Sequence, residues 1–178
     1  MAEATNELIA TNVGWLRQAL SLLGQMDDVT FTSCPKGLAP HRVGSHLRHV
    51  LEFYQCFLDG IESSRIDYDA RKRDQNIEKS RHAAAEEICS IIRRLEESPL
   101  LRGDSLLLVR MENAEVDVHL RSSISRELQA LSSHTIHHFA LIAVTLRLHG
   151  FEVDPEFGMS PSTLRYWAAQ TTASTEAA

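Results

Sequence analysis

The stretch LSSHTIHHF, residues 131–139, predicts an apolar helix that carries two histidines one turn apart. Side chains four residues apart lie one above the other on a helix, with about 5–6 Å between their Cβ atoms. The imidazoles of His134 and His138 can therefore bind one metal ion without distortion of the backbone. His137 is rotated by about 100° from its neighbour, so we expect it to face a flanking helix or solvent.

A second pair of histidines lies in GSHLRHV, residues 44–50, which also has helical periodicity. Metal centres in helical bundles are built from side chains on facing helices. A catalytic zinc site typically has three protein ligands and one open position, so one histidine from this segment would complete it. Spacing alone leaves His46 and His49 equally suited, since both lie on one side of the helix. The two segments hold five of the nine histidines, which favours a metal centre over chance clustering.

The composition is that of a reduced, soluble protein with one domain. A chain of 178 residues can bury a full core. Three widely spaced cysteines without a C-x-x-C motif argue against both a disulfide framework and a cysteine zinc knuckle. Cys56 returns to nearly the same helix face as His49, but about 10 Å along the axis, which favours a core thiol over a ligand.

Charge and hydropathy exclude two classes of partner. A net charge of −6 and a pI near 5.8 remove the attraction on which nonspecific nucleic-acid binding depends. Residues 1–7 lack the basic and apolar regions of a secretory signal, and no apolar run approaches the length of a membrane span. We therefore expect a soluble, cytoplasmic protein with no nucleic-acid or membrane partner.

The first half of the chain predicts two helices joined by a loop. Apolar residues recur at helical spacing over residues 6–26, and polar residues with Pro35 and Gly37 predict a loop over 27–39. A second helix runs from Pro40, which suits a first turn, to about Gly60. The charged residues 62–74 predict a solvated connection, with a lip over a cleft as the functional alternative.

The second half predicts two helices and a short hairpin. The third helix covers residues 75–97 and is stopped by Ser98-Pro99. Alternating apolar residues about the polar turn 112–115 predict a β-hairpin over 106–120. The fourth helix is capped by Ser122 or Ser123 and ends near Gly150. Residues 1–170 should form one domain, and we expect the small, polar tail 171–178 to be disordered.

These motifs resemble those of the DinB-like (DinB/YfiT) superfamily. VGSHLRHV, residues 43–50, is similar to its second-helix signature, and SHTIHHFA, residues 133–140, is similar to its fourth-helix signature. The likeness extends through DYDARKRD (67–74), REL (126–128) and PSTLRY (161–166), and so covers most of the chain. It implies an all-α protein, a four-helix bundle of DinB/YfiT type with a His₃ divalent-metal centre, most often zinc or nickel, and a homodimer.

The resemblance also implies which histidines bind. The family's second-helix ligand falls on His49, and its fourth-helix pair falls on His134 and His138. His46 is then extra: it is a partner of a ligand, a substrate contact, or the ligand itself if the alignment is shifted by one turn. Phe139-Ala140-Leu141 stand where the family often has Arg-Gly-Gln, so the usual polar rim differs here.

Two carboxylates are candidates for a catalytic role. Glu127 shares the face of His134 at about 10 Å along the axis, within reach of a substrate or a bridging water. Glu52 lies one turn after His49 and could orient an imidazole. For both carboxylates the competing interpretation is a structural ion pair. Four residues of the charged connection are candidates to line a cleft, with the same competing interpretation: Asp67, Tyr68, Arg71 and Arg73.

Three hypotheses for function follow. The first is a metal-dependent enzyme of thiol transferase or hydrolase type, in which an open coordination position binds water or a low-molecular-weight thiol. The second is a noncatalytic metal- or small-ligand-binding bundle with a structural ion, for which a fourth protein ligand such as His46 would be expected. The third is a metal-free bundle with hydrogen-bonded core histidines.

Overall fold

A computed structural model describes residues 2–37, 41–111 and 117–176 of the chain. Helices hold 66% of the described residues, which confirms a mainly helical protein, and one small sheet accompanies them. The elements in chain order are α1 (Ala2–Gln25), α2 (Asp28–Thr32), α3 (Val43–Gly60), β1 (Arg65–Ile66), α4 (Gln75–Lys79), α5 (Arg81–Glu97), a 3-10 turn (Pro99–Leu101), β2 (Leu106–Arg110), β3 (His119–Ser123), α6 (Ile124–Leu148) and α7 (Pro161–Glu176).

Four long helices enclose one core. α1 and α3 each contact both α5 and α6, because each helix carries an apolar stripe of helical period. The largest fully buried side chains include Leu16, Leu47, Leu51, Tyr54, Phe57, Ile88, Ile91, Leu95 and Phe139. Burial of each such apolar side chain stabilises the fold by about 1.5–3 kcal/mol. The core therefore holds α3 and α6, which carry the histidines, in a fixed register.

α6 begins and ends where sequence signals placed the fourth helix. The Ser123 side chain accepts a hydrogen bond from the backbone N–H of Arg126 at 3.3 Å, so Ser123 is the N-cap. Gly150 has a φ of +74°, the left-handed conformation in which helices commonly end. α3 ends at Gly60 as predicted but begins at Val43; the predicted start at Pro40 lies outside the described residues.

The third predicted helix is two helices in the structure. Ser80 has extended backbone angles and its hydroxyl accepts a hydrogen bond from the N–H of Ala83 at 3.2 Å, which ends α4 and caps α5. The serine side chain competes with the helical hydrogen bond, a local choice that apolar periodicity does not reveal. The predicted loop 27–39 likewise contains α2, capped by Asp27.

Gly44 allows α4 to lie directly against α3. A Cβ atom at this position would come within 2.1 Å of the backbone oxygen of Glu78 and within 2.9 Å of the Phe31 ring. The backbones thus approach more closely than any other residue would permit. Gly44 thereby places Glu78 beside the first turns of α3, where His46 lies.

The predicted hairpin strands are confirmed, and a third strand joins them. β2 and β3 pair in antiparallel fashion, with Leu106 opposite Ser123 and Arg110 opposite His119. β3 runs to Ser123, beyond the predicted end, and the predicted turn 112–115 lies outside the described residues. β1 pairs with β2 in parallel. It was not predicted because two residues are too few to show a strand period.

The connection between α3 and α4 is mostly exposed, as predicted for residues 62–74, but its middle is buried. Ile66 is 1% exposed and Tyr68 is 7% exposed. Pairing with β2 buries the first, and a hydrogen bond from the Tyr68 hydroxyl to Glu127 at 2.7 Å accompanies burial of the second. We refer to residues 65–74 as the strap, because they contact the middle of α3 at Glu52 and Phe53 and the start of α6 at Glu127.

The C-terminal segment is helical as far as Glu176. Sequence analysis assigned no element to residues 151–170 and expected a disordered tail from residue 171, whereas α7 covers Pro161–Glu176. Pro161 suits the first position of this helix, where its missing N–H is not needed. Within residues 2–37, 41–111 and 117–176, no helix is both long enough and apolar enough to cross a lipid bilayer.

Candidate metal centre

α3 and α6 bring together the three histidines that sequence analysis selected. His49 projects from α3, and His134 and His138 project from successive turns of α6. One ring nitrogen of each lies within 4.8 Å of the others, and each side chain is half-buried. Three imidazoles that converge in this way could hold one divalent metal ion.

The donor set fits such an ion. Nε2 of His49 lies 3.0 Å from Nε2 of His134. Two nitrogens that each lie about 2.0–2.1 Å from a common zinc ion, at angles between a right angle and the tetrahedral value, are separated by about 2.8–3.4 Å. The observed separation falls in this interval. Imidazole also suits nickel and other borderline divalent cations, so the geometry leaves the metal open.

The imidazoles are neutral at neutral pH. Burial lowers the pKa of His49 and of His134 from 6.5 to about 4, and the nearby Arg71 guanidinium acts in the same direction. Burial, with His134, His49 and His46 beside it, lowers the pKa of His138 to about 2. A metal-binding nitrogen must carry a free lone pair, and these histidines therefore need not lose a proton at pH 7 to bind an ion.

His46 lies beside the cluster and contacts His138. Nδ1 of His46 is 3.0 Å from Nδ1 of His138, and Nε2 of His46 is 3.2 Å from Nδ1 of His41. All contacts are satisfied when His138 Nδ1–H donates to His46 and His46 Nε2–H donates to His41. This tautomer of His138 leaves its Nε2 lone pair free for a metal. The structure thus places His46 where it orients a ligand, the usual role of a hydrogen-bonding partner.

His137 faces away from the cluster, as the helical geometry predicts. Its side chain is exposed, and its ring meets that of His138 edge-on at 5.1 Å between centroids. One residue of offset on a helix separates it from the ligand face by about 100°.

We expect His46→Ala to weaken metal binding about 10–100-fold, because loss of a hydrogen-bonding partner of a ligand typically has this effect. His49→Ala should weaken it far more, since it removes a ligand nitrogen. Competition with a chromophoric chelator measures both affinities. A larger loss for His46→Ala than for His49→Ala would make His46 the ligand from α3.

Glu52 stabilises the scaffold and does not contact the imidazoles among the described residues. Its side chain is fully buried, one oxygen accepts from Arg48 at 2.8 Å, and the other accepts from the backbone N–H of Asp74 at 2.7 Å. Arg48 also pairs with Glu78 at 2.9 Å. One oxygen is therefore engaged in an ion pair, which was the alternative to orienting His49, and the other accepts from the backbone. The structure does not show Glu52 in the orienting role.

Glu127 likewise holds structure in place. It is 6% exposed and accepts hydrogen bonds from the hydroxyls of Tyr68 and Ser122. Burial, followed by the Glu127 carboxylate, raises the pKa of Tyr68 well above its usual range, so the phenol keeps its proton. The carboxylate connects the strap to α6. Its hydrogen bonds to two protein hydroxyls favour a structural role over direct contact with a substrate.

Sequence analysis did not single out two residues of the site. Phe53 packs against His134 and His49, with ring centroids 4.1 and 4.9 Å apart; its spacing of four from His49 was the available signal. His41 precedes α3 in irregular backbone, where no period could place it. Cys56 is half-buried, burial raises its pKa to about 11, and it lies outside the group of three histidines, as expected for a core thiol.

A cavity of about 320 Å³ opens beside the cluster. Its lining comprises His41, Ser45, His46, Arg48, His49, Glu78 and His138. Two of the three converging imidazoles therefore face a space large enough for a small ligand. A larger cleft of about 670 Å³ lies between α1, α6 and the start of α7. No metal-ligating cluster of the described residues lines it, so we place the functional site at the histidines.

Comparisons with known proteins add one partial match. No protein-family model and no solved structure matches the chain. FK506-binding protein 5 of Rhizopus delemar is 37% identical to it over 105 residues, which are 57% of this chain and 27% of that relative. The match thus spans about a quarter of the relative, whose name reports binding of FK506 by that protein as a whole. Similarity over this region leaves the function of the chain to be inferred from the site itself.

Proposed function

We propose that this chain is a DinB-like four-helix bundle that holds one divalent ion through His49, His134 and His138 and acts as a metal-dependent enzyme. The single observation that carries the proposal is the convergence of three ligand nitrogens, and no fourth among the described residues, beside an open cavity. A structural zinc site would use four protein ligands, whereas a catalytic site keeps one position for water or substrate.

The fold supports this assignment. The contacts of α1 and α3 with both α5 and α6 are consistent with a four-helix bundle, and the candidate ligands lie on the second and fourth long helices in chain order, as the family motifs imply. The family also suggests zinc or nickel as the ion, a low-molecular-weight thiol as cosubstrate, and a homodimer as the assembly.

The chemistry would be activation of a nucleophile. A divalent ion lowers the pKa of a bound water or thiol, which makes a nucleophile available at neutral pH. The residues of the chain do the remaining work. His46 and His41 hold His138 in the tautomer that presents Nε2, Phe53 packs against His49 and His134, and Arg48 and Glu78 line the cavity beside the cluster.

A structural ion is the second candidate. It would require His46 to become a fourth ligand, but its Nδ1 is 3.0 Å from Nδ1 of His138 and is engaged as a hydrogen-bond acceptor when His138 binds through Nε2. That contact favours the open site.

Metal analysis of protein purified without an affinity tag is the first test, and we expect about one ion per chain. Absence of metal, together with no uptake of zinc, nickel or manganese on titration, would refute the proposal and leave the 3.0 Å contact between His49 and His134 as a hydrogen bond.

Cobalt substitution then tests the open position. We expect the visible spectrum of the cobalt protein to change when a thiol is added, because a thiol that coordinates alters the ligand field. A spectrum that is indifferent to thiols, azide and pH would show a closed centre and establish the structural ion instead.

A further inference from the structure

The strap is fixed at both ends beside the histidine cluster. Near its start, the Tyr68 ring stacks on Phe53 with centroids 5.0 Å apart, and its hydroxyl donates to Glu127. At its end, the backbone N–H of Asp74 donates to the buried Glu52 at 2.7 Å. Arg71 lies between these two anchors. Contacts on both sides of Arg71 therefore restrain its backbone.

The Arg71 side chain lies one aromatic ring away from two of the three candidate ligands. Its guanidinium carbon is 4.7 Å from the centroid of the Phe53 ring, a stacking contact of cation and aromatic face. The same ring packs against His134 and His49. A permanent positive charge thus lies on the side of the candidate metal centre that faces the strap.

No carboxylate among the described residues pairs with this charge. Nε of Arg71 is buried without an acceptor, and Arg71 forms no ion pair with any residue the structure describes. Arg48, on the other side of the cluster, is paired with both Glu52 and Glu78. A buried donor on a charged group that has no partner is destabilising, by more than a neutral one, so its retention calls for an explanation.

A second nitrogen beside the Phe53 ring also lacks a hydrogen-bond partner among the described residues. Nδ1 of His134 is buried and has no acceptor among the described residues. When His134 binds a metal through Nε2, this Nδ1 carries a proton and is a donor. Each of the two unsatisfied atoms beside Phe53 is then a donor, so what each lacks is an acceptor. One of the two donors carries a full positive charge, which favours a negatively charged acceptor.

We propose that Arg71 binds the carboxylate of the substrate, whose other end reaches the metal centre. A guanidinium presents two parallel N–H groups that match the two oxygens of a carboxylate. One unpaired guanidinium balances one negative charge, which fits a carboxylate better than a doubly charged phosphate. The inference rests on the proposed metal-dependent function and names its substrate class: a small carboxylic acid, for a thiol transferase a thiol or electrophile that carries a carboxylate.

The test compares matched thiols on the cobalt-loaded protein. Mercaptoacetate, 3-mercaptopropionate and 4-mercaptobutyrate carry a carboxylate, and the corresponding mercaptoalcohols of equal length do not. We expect the best carboxylate to bind at least about tenfold more tightly than its alcohol, the size of one charge-assisted hydrogen-bonded pair. Arg71→Gln should abolish this preference and leave binding of the alcohols and of cobalt unchanged.

Two further variants control for charge and folding. Lys72→Gln removes the same charge from the adjacent, exposed position and should keep the preference. Arg71→Lys keeps the charge but loses the two-pronged donor, so the preference should shrink without vanishing. Equal binding of carboxylates and alcohols by the wild-type protein, or a preference that survives Arg71→Gln, would overturn the proposal.

A metal-independent readout separates this inference from the proposed function. The buried Nε–H of Arg71 should give a slowly exchanging resonance, identified by its loss in Arg71→Lys, that shifts when propionate is titrated into the metal-free protein. A shift in a protein that takes up no metal would support the anion site and refute the metalloenzyme. A resonance indifferent to propionate, in a protein whose cobalt spectrum responds to thiols, would refute the anion site alone.

Discussion

His134→Ala and His138→Ala should each abolish tight metal binding, whereas His137→Ala should leave it unchanged. Each of the first two changes removes one of three converging ligand nitrogens, and two imidazoles cannot replace a three-point site. The loss should exceed the 10–100-fold effect typical of a residue that only supports a ligand. Competition with a chromophoric chelator provides the affinities, and circular dichroism checks that the helices remain.

His137→Ala is a matched control, because it removes the same side chain from the same turn of α6 on an exposed face. Similar losses for all three variants would mean that the helix presents a different face to the metal. Retention of tight binding in either His134→Ala or His138→Ala would remove that residue from the ligand set.

Glu52→Leu should lower the free energy of unfolding of the metal-free protein by about 1–3 kcal/mol, the typical result of leaving a buried hydrogen-bond donor without its acceptor. The substitution keeps the side-chain volume similar but leaves Arg48 with one carboxylate instead of two, and leaves the N–H of Asp74 without its acceptor. Urea unfolding monitored by circular dichroism measures the change.

The exposed pair of Arg17 and Glu96 supplies the control. Its members are 65% and 47% exposed, and the contact is 2.9 Å long, so Glu96→Leu should change stability by no more than about 1 kcal/mol. A comparable small change for Glu52→Leu would show that the buried network contributes little. Because Glu52 also holds the end of the strap, its loss should in addition weaken the carboxylate preference assigned to Arg71.

The parts of the site that lie on long helices could be predicted from the sequence. Helical spacing alone puts His134 and His138 on one face and His137 on another, and the structure places them so. The same spacing could not choose between His46 and His49, because the choice depends on the rotation of α3 against α6. That rotation is determined by packing of the whole core, which no local pattern contains.

The strap shows why the rest could not be predicted. Its composition is that of a solvated loop, and the burial of Tyr68 depends on Glu127 and Phe53, which lie on two distant helices. The sequence offers Arg71 either as a residue of a cleft or as a member of a structural ion pair, and no local pattern decides between the two. Only the structure shows that its Nε is buried and without an acceptor. Contacts between residues far apart in the chain decide both features.

The close approach at Gly44 bears on which sequences this fold can tolerate. Glycine within a helix is less favourable than alanine by about 1 kcal/mol. Substitution of Gly44 by alanine would therefore stabilise α3 if there were space for a Cβ atom. The oxygen of Glu78 occupies that space, and its displacement would pull Glu78 from Arg48 and the floor of the cavity. Gly14 in α1 has nothing within 4 Å of a Cβ atom. Substitutions should therefore accumulate freely at position 14 and be purged at position 44, although both are helical glycines.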